Sequence, residues 1–127
     1  MKNILEMNIN EMSNLDFECE CGKRHSLPIR EICIKNNALD EFNRVLSPFK
    51  DKKIFVFSDE NTYNAAGENT VKILKNNNHT FKNFIIPNNK EILIPNEKVL
   101  GRLFMELEND TELIIAIGSG TINDLGK

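Results

Sequence analysis

The chain has 127 residues, 40% of them hydrophobic and 28% charged, and its formal net charge is −3. This length is enough for one domain with a buried core, and the composition is that of a folded protein rather than a disordered segment. The net negative charge excludes the basic surface that binding to a nucleic-acid backbone requires. The short basic cluster of Lys50, Lys52 and Lys53 is broken by Asp51 and is interpreted as a solvated face.

The sequence also argues against a membrane or secreted protein. No apolar run approaches the ~20 residues that a membrane-spanning helix needs. Residues 1–16 lack the apolar core of a signal peptide. Three cysteines, an odd number, do not make a disulfide framework. We therefore expect a soluble cytoplasmic protein with no membrane or nucleic-acid partner.

The first part of the chain reads as a polar leader over residues 1–30. The apolar residues Ile32, Cys33 and Ile34 predict a short edge strand. Apolar residues then recur at helical spacing over residues 38–46, with Asn36 or Asn37 as the N-cap and Pro48 beyond the end.

The middle of the chain begins with a continuous apolar run, KIFVF, at residues 53–57. Such a run flanked by charge is typical of a strand that is buried on both faces of a sheet. A helix is predicted at residues 64–74, although Gly67 weakens it, and its inward residues are expected to be Ala66, Val71 and Leu74.

The last third repeats this alternation. A strand is predicted at residues 80–86, and Pro95 fits the first turn of the helix that follows. That helix should turn one apolar face inward, formed by Val99, Leu100, Leu103, Phe104 and Leu107. The run LIIAI at residues 113–117 predicts another buried strand, and a helix is expected to open at Thr121. His79, in an Asn-rich turn, is expected in solvent.

The alternation of apolar strands with helices predicts an α/β fold with a mostly parallel, Rossmann-like sheet flanked by helices. In such sheets ligands bind at the carboxyl ends of the strands. Two groups of residues follow predicted strands in this way. They are the candidate binding residues.

The first candidate is Asp59, in the segment SDENTY directly after KIFVF. A carboxylate here can accept hydrogen bonds from both hydroxyl groups of an adenosine ribose, which would favour NAD over its 2′-phosphorylated relative. The alternative is that Asp59 caps the following helix, since Asp is a favoured N-cap residue.

The second candidate is the loop Gly118, Ser119, Gly120, Thr121 and Ile122, which follows the strand at residues 113–117. Glycines allow a phosphate to approach the backbone, and the N–H groups at a helix start point toward it. The loop is not the dinucleotide fingerprint GxGxxG, because Asn123 stands at the third glycine. A plain turn between strand and helix is the alternative.

A third group, Cys19, Cys21 and His25 in the segment CECGKRH, has residue types that bind zinc. Structural zinc normally has four protein ligands, and this segment supplies three. Cys33 could be a fourth ligand, but it falls inside the apolar run that predicts the edge strand. The sequence therefore favours a packed or exposed turn over a zinc site. No metal ligand is assigned, and no catalytic residue is identified in these 127 residues.

Three segments together resemble the bacterial sn-glycerol-1-phosphate dehydrogenases of the iron-containing alcohol dehydrogenase and dehydroquinate synthase-like superfamily. They are IAIGSGTINDLGK at residues 115–127, SDENTY at residues 58–63, and CECGKRHSLPIREICI at residues 19–34. The family's loop often has three consecutive glycines, and Ser119 replaces the middle one here.

The resemblance implies a two-domain, homo-oligomeric enzyme of phospholipid metabolism. It would reduce the small molecule dihydroxyacetone phosphate to glycerol 1-phosphate with NAD(P)H. A divalent metal (nickel, zinc or iron), held by one Asp and two His of a C-terminal helical domain, would polarise the carbonyl. Residues 31–127 would be the NAD(P)-binding domain, with residues 1–30 as a leader packed on it. Asp59 would bind ribose, and residues 118–122 would bind the pyrophosphate.

The resemblance also implies that the metal ligands lie beyond Lys127. The chain is then expected to be an inactive N-terminal part of the enzyme. A dehydroquinate synthase-like lyase and a stand-alone nucleotide-binding domain are the alternatives.

Overall fold

The computed structural model describes residues 4–13, 15–87 and 92–127. The chain divides into two compact units, Met1–Ala38 and Leu39–Lys127. The first contains an antiparallel hairpin of β1 (Asp16–Glu18) and β2 (Arg24–Ser26), preceded by two short 3-10 turns. The sequence did not predict this hairpin, because strands of three mostly exposed residues carry no apolar alternation.

The edge strand predicted at residues 32–34 is wrong. These residues form no strand, and the side chain of Ile34 is 75% exposed. A three-residue apolar run is too short for its pattern to distinguish a strand from an irregular segment.

The second unit contains the alternating strands and helices that the sequence predicted. A 3-10 turn (Ala38–Glu41) leads into α1 (Phe42–Leu46), and α2 (Glu60–Thr62) is separated from α3 (Glu68–Asn76) by a π-helical turn. The strands are β3 (Ile54–Asp59), β4 (Phe81–Ile86) and β5 (Leu113–Ile117). The remaining helices are α4 (Glu97–Glu106) and α5 (Gly120–Gly126). No helix in the described ranges has the length and apolar character needed to cross a membrane.

The three strands of the second unit form a parallel sheet in the order β4-β3-β5. On one side Ile54 pairs with Phe81, and on the other it pairs with Leu113. The predicted α/β class with a parallel sheet flanked by helices is therefore confirmed. The expected burial of the run LIIAI is wrong: β5 is at the edge of the described sheet, its alternate residues are exposed, and the side chain of Ile114 is 44% exposed.

The central strand β3 packs helices on both of its faces. Phe55 and Phe57 form one cluster with α4 and α5, through residues that include Leu103 and Ile122. Ile54 and Val56 form the other cluster with α1 and α3, through Leu46 and Leu74. Because side chains alternate along a strand, the unbroken apolar run KIFVF supplies both clusters. This accounts for its lack of polar alternation.

The helical segment after β3 continues through Gly67, where the sequence pattern was weak. The π-helical turn spans Tyr63–Gly67. A β-carbon on Gly67 would lie 2.6 Å from Cδ2 of Tyr63, so the tyrosine ring occupies the space that any side chain would need. Gly67 thus allows this turn to pack, and Val71 and Leu74 are buried beyond it as predicted.

The lysines at the start of β3 do not form a purely solvated face. Lys52 Nζ lies 2.6 Å from Oε1 of Glu112. Lys53 Nζ lies 2.7 Å from Glu108 and 2.8 Å from Asp110. The carboxylate of Asp110, followed by that of Glu108, raises the pKa of Lys53. These ion pairs join the turn before β5 to the start of β3.

The helix α4 begins at Glu97 with Asn96 as its N-cap, so Pro95 lies before the helix and not in its first turn as expected. The predicted inner face of α4 is only partly confirmed. Leu103 is buried, whereas Leu100 is 39% and Phe104 is 64% exposed. Both exposed residues line an apolar groove of about 370 Å³ between α4, β5 and α5, together with Ile114. Helical spacing identifies an apolar face, but it does not say how much of that face a neighbour covers.

We predict that Leu74→Ala lowers the free energy of unfolding by about 2–5 kcal/mol, because it leaves a cavity between α3 and β3. The side chain of Leu74 is 0% exposed, whereas that of Met105 on α4 is 88% exposed. The matched variant Met105→Ala should therefore change stability by less than about 0.5 kcal/mol. Urea denaturation followed by circular dichroism measures both. Equal effects of the two substitutions would contradict this core.

Candidate functional site

The strand order makes the carboxyl end of the sheet the expected place for a ligand. From β3 the chain passes to β4 on one side, and it later returns to β5 on the other side. The helix α3, which follows β3, packs against Ile54 and Val56, whereas α5, which follows β5, packs on the opposite face against Phe55 and Phe57. Adjacent strands whose following helices lie on opposite faces make a topological switch point, which is where ligands bind in open α/β sheets. The expected binding position therefore lies between the ends of β3 and β5.

The register brings the two candidate groups to this point. Ser58 is the partner of Ile117 in the parallel pair β3–β5. Asp59 and Gly118 each come one residue later, and neighbouring strands lie about 4.8 Å apart. The carboxylate residue and the start of the glycine loop thus leave the same edge of the sheet side by side.

Asp59 also caps the helix that follows it. Its Oδ1 accepts a hydrogen bond of 2.8 Å from the backbone N–H of Thr62, and the hydroxyl of Thr62 accepts one of 3.1 Å from the N–H of Asp59. This reciprocal capping box is the alternative that the sequence left open for Asp59. It engages one carboxylate oxygen in a half-buried side chain. The other oxygen, Oδ2, accepts no hydrogen bond from the residues that the structure describes.

Gly118 is required by the packing of α5. A β-carbon at this position would overlap Cγ1 and Cβ of Ile122. The side chain of Ile122 is 0% exposed and belongs to the cluster around Phe55 and Phe57. Ile122 can therefore offer only its backbone N–H to a ligand. Gly118 allows the helix to start close to the strand.

The rest of the loop forms the beginning of α5. Ser119 is the N-cap residue, but its side chain makes no capping hydrogen bond. The first N–H groups of a helix have no partner within the helix, and they carry a partial positive charge. A β-carbon on Gly120 would meet nothing within 4 Å. The start of α5 is therefore open on that side, with uncapped N–H donors.

One polar group at this edge was not singled out from the sequence. Ser58 is 0% exposed, and its hydroxyl has no hydrogen-bond partner among the residues that the structure describes. It directly precedes Asp59 at the end of the central strand. No pattern in the sequence distinguishes this serine, because its burial depends on the neighbours β4 and β5.

Among the residues that the structure describes, neither His25 nor His79 forms a metal site with an aspartate. Within residues 4–13, 15–87 and 92–127, the structure brings together only one group of three potential ligands, which is Cys19, Cys21 and His25. His79 is half-buried rather than solvated, which corrects the expectation from the sequence. The residues present thus do not fit the Asp-His-His metal site that the resemblance implies, and no chemical step is derived through it.

The cysteine group lies on the hairpin of the first unit. Cys21 Sγ is 3.2 Å from Nε2 of His25. The backbone N–H of Cys21 and then its thiol hold the pKa of the Cys19 thiol below its ordinary value. Deprotonated thiols are the form that binds metals.

A family-wide sequence profile described as iron-containing alcohol dehydrogenase matches residues 33–127. The chain belongs to the iron-containing alcohol dehydrogenase family. The resemblance found in the sequence is confirmed, and the family match covers the whole three-stranded sheet with both candidate groups.

Individual relatives of the family are also similar. The chain is 30% identical over 121 residues to a glycerol-1-phosphate dehydrogenase (NAD(P)+) of Halalkalibacterium halodurans, which covers 94% of this chain and 30% of that protein. It is 25% identical over 124 residues to the enzyme of that name from Geobacillus thermodenitrificans, covering 97% and 31%. It is 31% identical over 100 residues to a 3-dehydroquinate synthase of Clostridium botulinum, covering 75% and 28%.

The chain spans about 31% of the length of the curated relatives that it matches. No solved structure gives a significant match.

We predict that Gly118→Ala lowers the free energy of unfolding by about 1–3 kcal/mol, because the new methyl group overlaps Ile122. The control is Gly120→Ala, whose methyl group enters open space at the first turn of α5. It should be neutral or stabilising by up to about 1 kcal/mol. Thermal or urea unfolding compares them. Equal destabilisation by both variants would show that the contact with Ile122 does not explain Gly118.

Proposed function

We propose that this chain is the NAD(P)-binding part of a glycerol-1-phosphate dehydrogenase, an enzyme that reduces dihydroxyacetone phosphate with NADH or NADPH. The observation that carries the proposal is the parallel register of β3 and β5, which puts Asp59 beside Gly118 at the switch point. The similarity to relatives named glycerol-1-phosphate dehydrogenase (NAD(P)+) supports it. The domain is taken as residues 31–127, with residues 1–30 as a leader.

In this proposal the two groups bind different parts of the dinucleotide. Asp59 keeps Oδ1 on the N–H of Thr62, while its other oxygen accepts hydrogen bonds from the adenosine ribose. The uncapped N–H groups of Gly120, Thr121 and Ile122 bind the pyrophosphate, aided by the hydroxyls of Ser119 and Thr121. Capping and ribose binding are compatible, because a carboxylate has two oxygens that each accept hydrogen bonds.

The open side of Gly120 supports the fit of a phosphate group. A phosphate that accepts backbone hydrogen bonds must come within about 3 Å of the nitrogen atoms, which a side chain at that point would hinder. At Gly118, in contrast, the side chain of Ile122 occupies the space that a β-carbon would need. The two glycines of the loop thus have separate roles, one for packing and one for access.

The catalytic metal belongs to residues other than those described. A divalent metal in such an enzyme supplies Lewis-acid polarisation of the substrate carbonyl. This chain's own residues hold and orient the cofactor. We also propose that the enzyme is cytoplasmic and homo-oligomeric. The three cysteines of the chain are free thiols.

The cofactor role is tested with two substitutions of Asp59. Asp59→Ala should weaken NADH binding by about 1.5–3 kcal/mol, because hydrogen bonds to a charged acceptor are lost. Asp59→Asn retains the cap, since Asn and Asp cap helices equally well, but it loses the charge. It should therefore keep the fold and lower the affinity for NADH relative to NADPH, whose 2′-phosphate the carboxylate repels. Fluorescence titration of each cofactor measures both affinities.

The shift in the NADH-to-NADPH ratio distinguishes ribose binding from a purely structural role. A residue that only caps α2 would change both affinities equally. An unchanged ratio in Asp59→Asn, in a protein with unaltered circular dichroism, would refute the assignment of Asp59 to the ribose.

The activity is tested on the product of the complete reading frame that contains this sequence. It should oxidise NADH or NADPH with dihydroxyacetone phosphate, and a chelator should abolish the reaction. The 127-residue chain alone should show no turnover with added nickel, zinc or iron, because its described residues form no Asp-His-His group. Turnover by the purified chain would contradict this. A complete protein that does not reduce dihydroxyacetone phosphate but has 3-dehydroquinate synthase activity would favour the function of the relative of that name.

A further inference from the structure

The hairpin of the first unit holds its side chains in a defined arrangement. Phe17 pairs with His25 across the two strands, and their rings stack with centroids 5.6 Å apart. Cys19 directly follows β1, and it lines the same pocket as Phe17 and His25. Arg24 donates two hydrogen bonds of 2.7 Å to the carboxylate of Asp16. The stacking and the ion pair both fix the strand that carries His25.

The turn between the strands brings Cys21 back toward His25. Gly22 adopts a φ of +78°, a conformation that glycine takes without steric cost. Its N–H donates to the carbonyl of Cys19 at 2.9 Å, and the N–H of Cys19 donates to the carbonyl of Lys23 at 2.9 Å. These two bonds close the turn that contains Cys21.

The result is a convergence of three ligand atoms. Cys21 Sγ lies 3.2 Å from Nε2 of His25. The sulfur atoms of Cys19 and Cys21 and a ring nitrogen of His25 all lie within 4.8 Å of one another. In tetrahedral zinc sites the metal–sulfur distance is about 2.3 Å and the metal–nitrogen distance about 2.0 Å, so neighbouring ligand atoms are about 3.5–3.8 Å apart. One of the distances between these three atoms is 3.2 Å and none exceeds 4.8 Å, a range that includes the separations of neighbouring ligands around tetrahedral zinc.

We propose that Cys19, Cys21 and His25 bind one Zn²⁺ through two thiolates and Nε2 of the imidazole, with a fourth position open to water or another ligand. Zinc binds thiolate and imidazole ligands, whereas magnesium and calcium bind oxygen ligands. Closed structural sites have four protein ligands, whereas sites with three leave one position accessible. Stacking on Phe17 fixes the ring that donates Nε2, as supporting contacts do in other metal sites.

The surroundings suit a partly shielded ion. Cys19 and His25 line an apolar pocket of about 380 Å³ in the same unit, with Leu15, Phe17 and Leu27. Cys21 and His25 are exposed on the outer side. The ion therefore has an entry path from solvent and an apolar wall behind it.

The first test maps thiol reactivity in the unmodified 127-residue chain. The reduced protein is alkylated with and without Zn²⁺, and each cysteine is quantified by mass spectrometry. We expect Zn²⁺ to slow the modification of Cys19 and Cys21 about tenfold or more, because a bound thiolate is no longer free to react. Cys33, which is exposed and outside the group, is the internal control and should react at an unchanged rate. Equal rates at all three cysteines would overturn the proposal.

The second test counts the ligands by titration with Co²⁺ as a spectroscopic substitute for Zn²⁺. We expect one tetrahedral cobalt per chain with thiolate-to-metal absorption, displaced by Zn²⁺. Cys19→Ser, Cys21→Ser and His25→Ala should each lower the affinity about tenfold or more. The matched variant Cys33→Ser should bind as the unaltered chain does. Binding that survives in Cys21→Ser and His25→Ala, or that Cys33→Ser also loses, would assign the metal elsewhere. Formation of a Cys19–Cys21 disulfide in place of metal binding, with reductant present, would also refute it.

Discussion

The pairing of β3 with a parallel strand on each side is the constraint on which the second unit depends. All the residues from Ile54 to Ser58 are buried, because sheet neighbours flank both edges and helices cover both faces. The alternate side chains of this one strand supply both apolar clusters. Ion pairs of Lys52 and Lys53 hold the turn before β5 at the start of the strand. The same pairing places Asp59, at the carboxyl end of β3, beside the loop that follows β5.

Much of this unit could be predicted, because its signals are local. Continuous apolar runs predicted the strands β3 and β5. Helical spacing predicted inward-facing residues, of which Val71, Leu74 and Leu103 are buried. The strand order could not be predicted, since it depends on which partners each strand finds in space. The exposure of Leu100 and Phe104 and the burial of Ser58 likewise depend on neighbours that are distant in sequence. The hairpin was missed because its strands are too short for a pattern.

At the candidate site, too, the sequence identified the residues but did not decide between their roles. The sequence offered two roles for Asp59, ribose binding and helix capping, and the structure contains the cap. For the glycines of the loop the sequence offered close approach of a phosphate or a plain turn between strand and helix. For Gly118 the packing contact is with Ile122, four residues along the chain, which becomes a neighbour only when α5 forms. A glycine required by packing and one required by a ligand look alike in a sequence.

The two units also differ in which sequence comparisons match them. The family-wide profile begins at residue 33 and covers the switch point with both candidate binding groups. The relatives named glycerol-1-phosphate dehydrogenase align with 94–97% of the chain, so their similarity extends into the hairpin as well. The 3-dehydroquinate synthase covers 75%. The family-wide match therefore includes the strands β3 and β5 and the residues that follow them. Cys19, Cys21 and His25 lie before residue 33, so the family-wide match does not extend to them, whereas the similarity to the two dehydrogenases includes the segment that carries them.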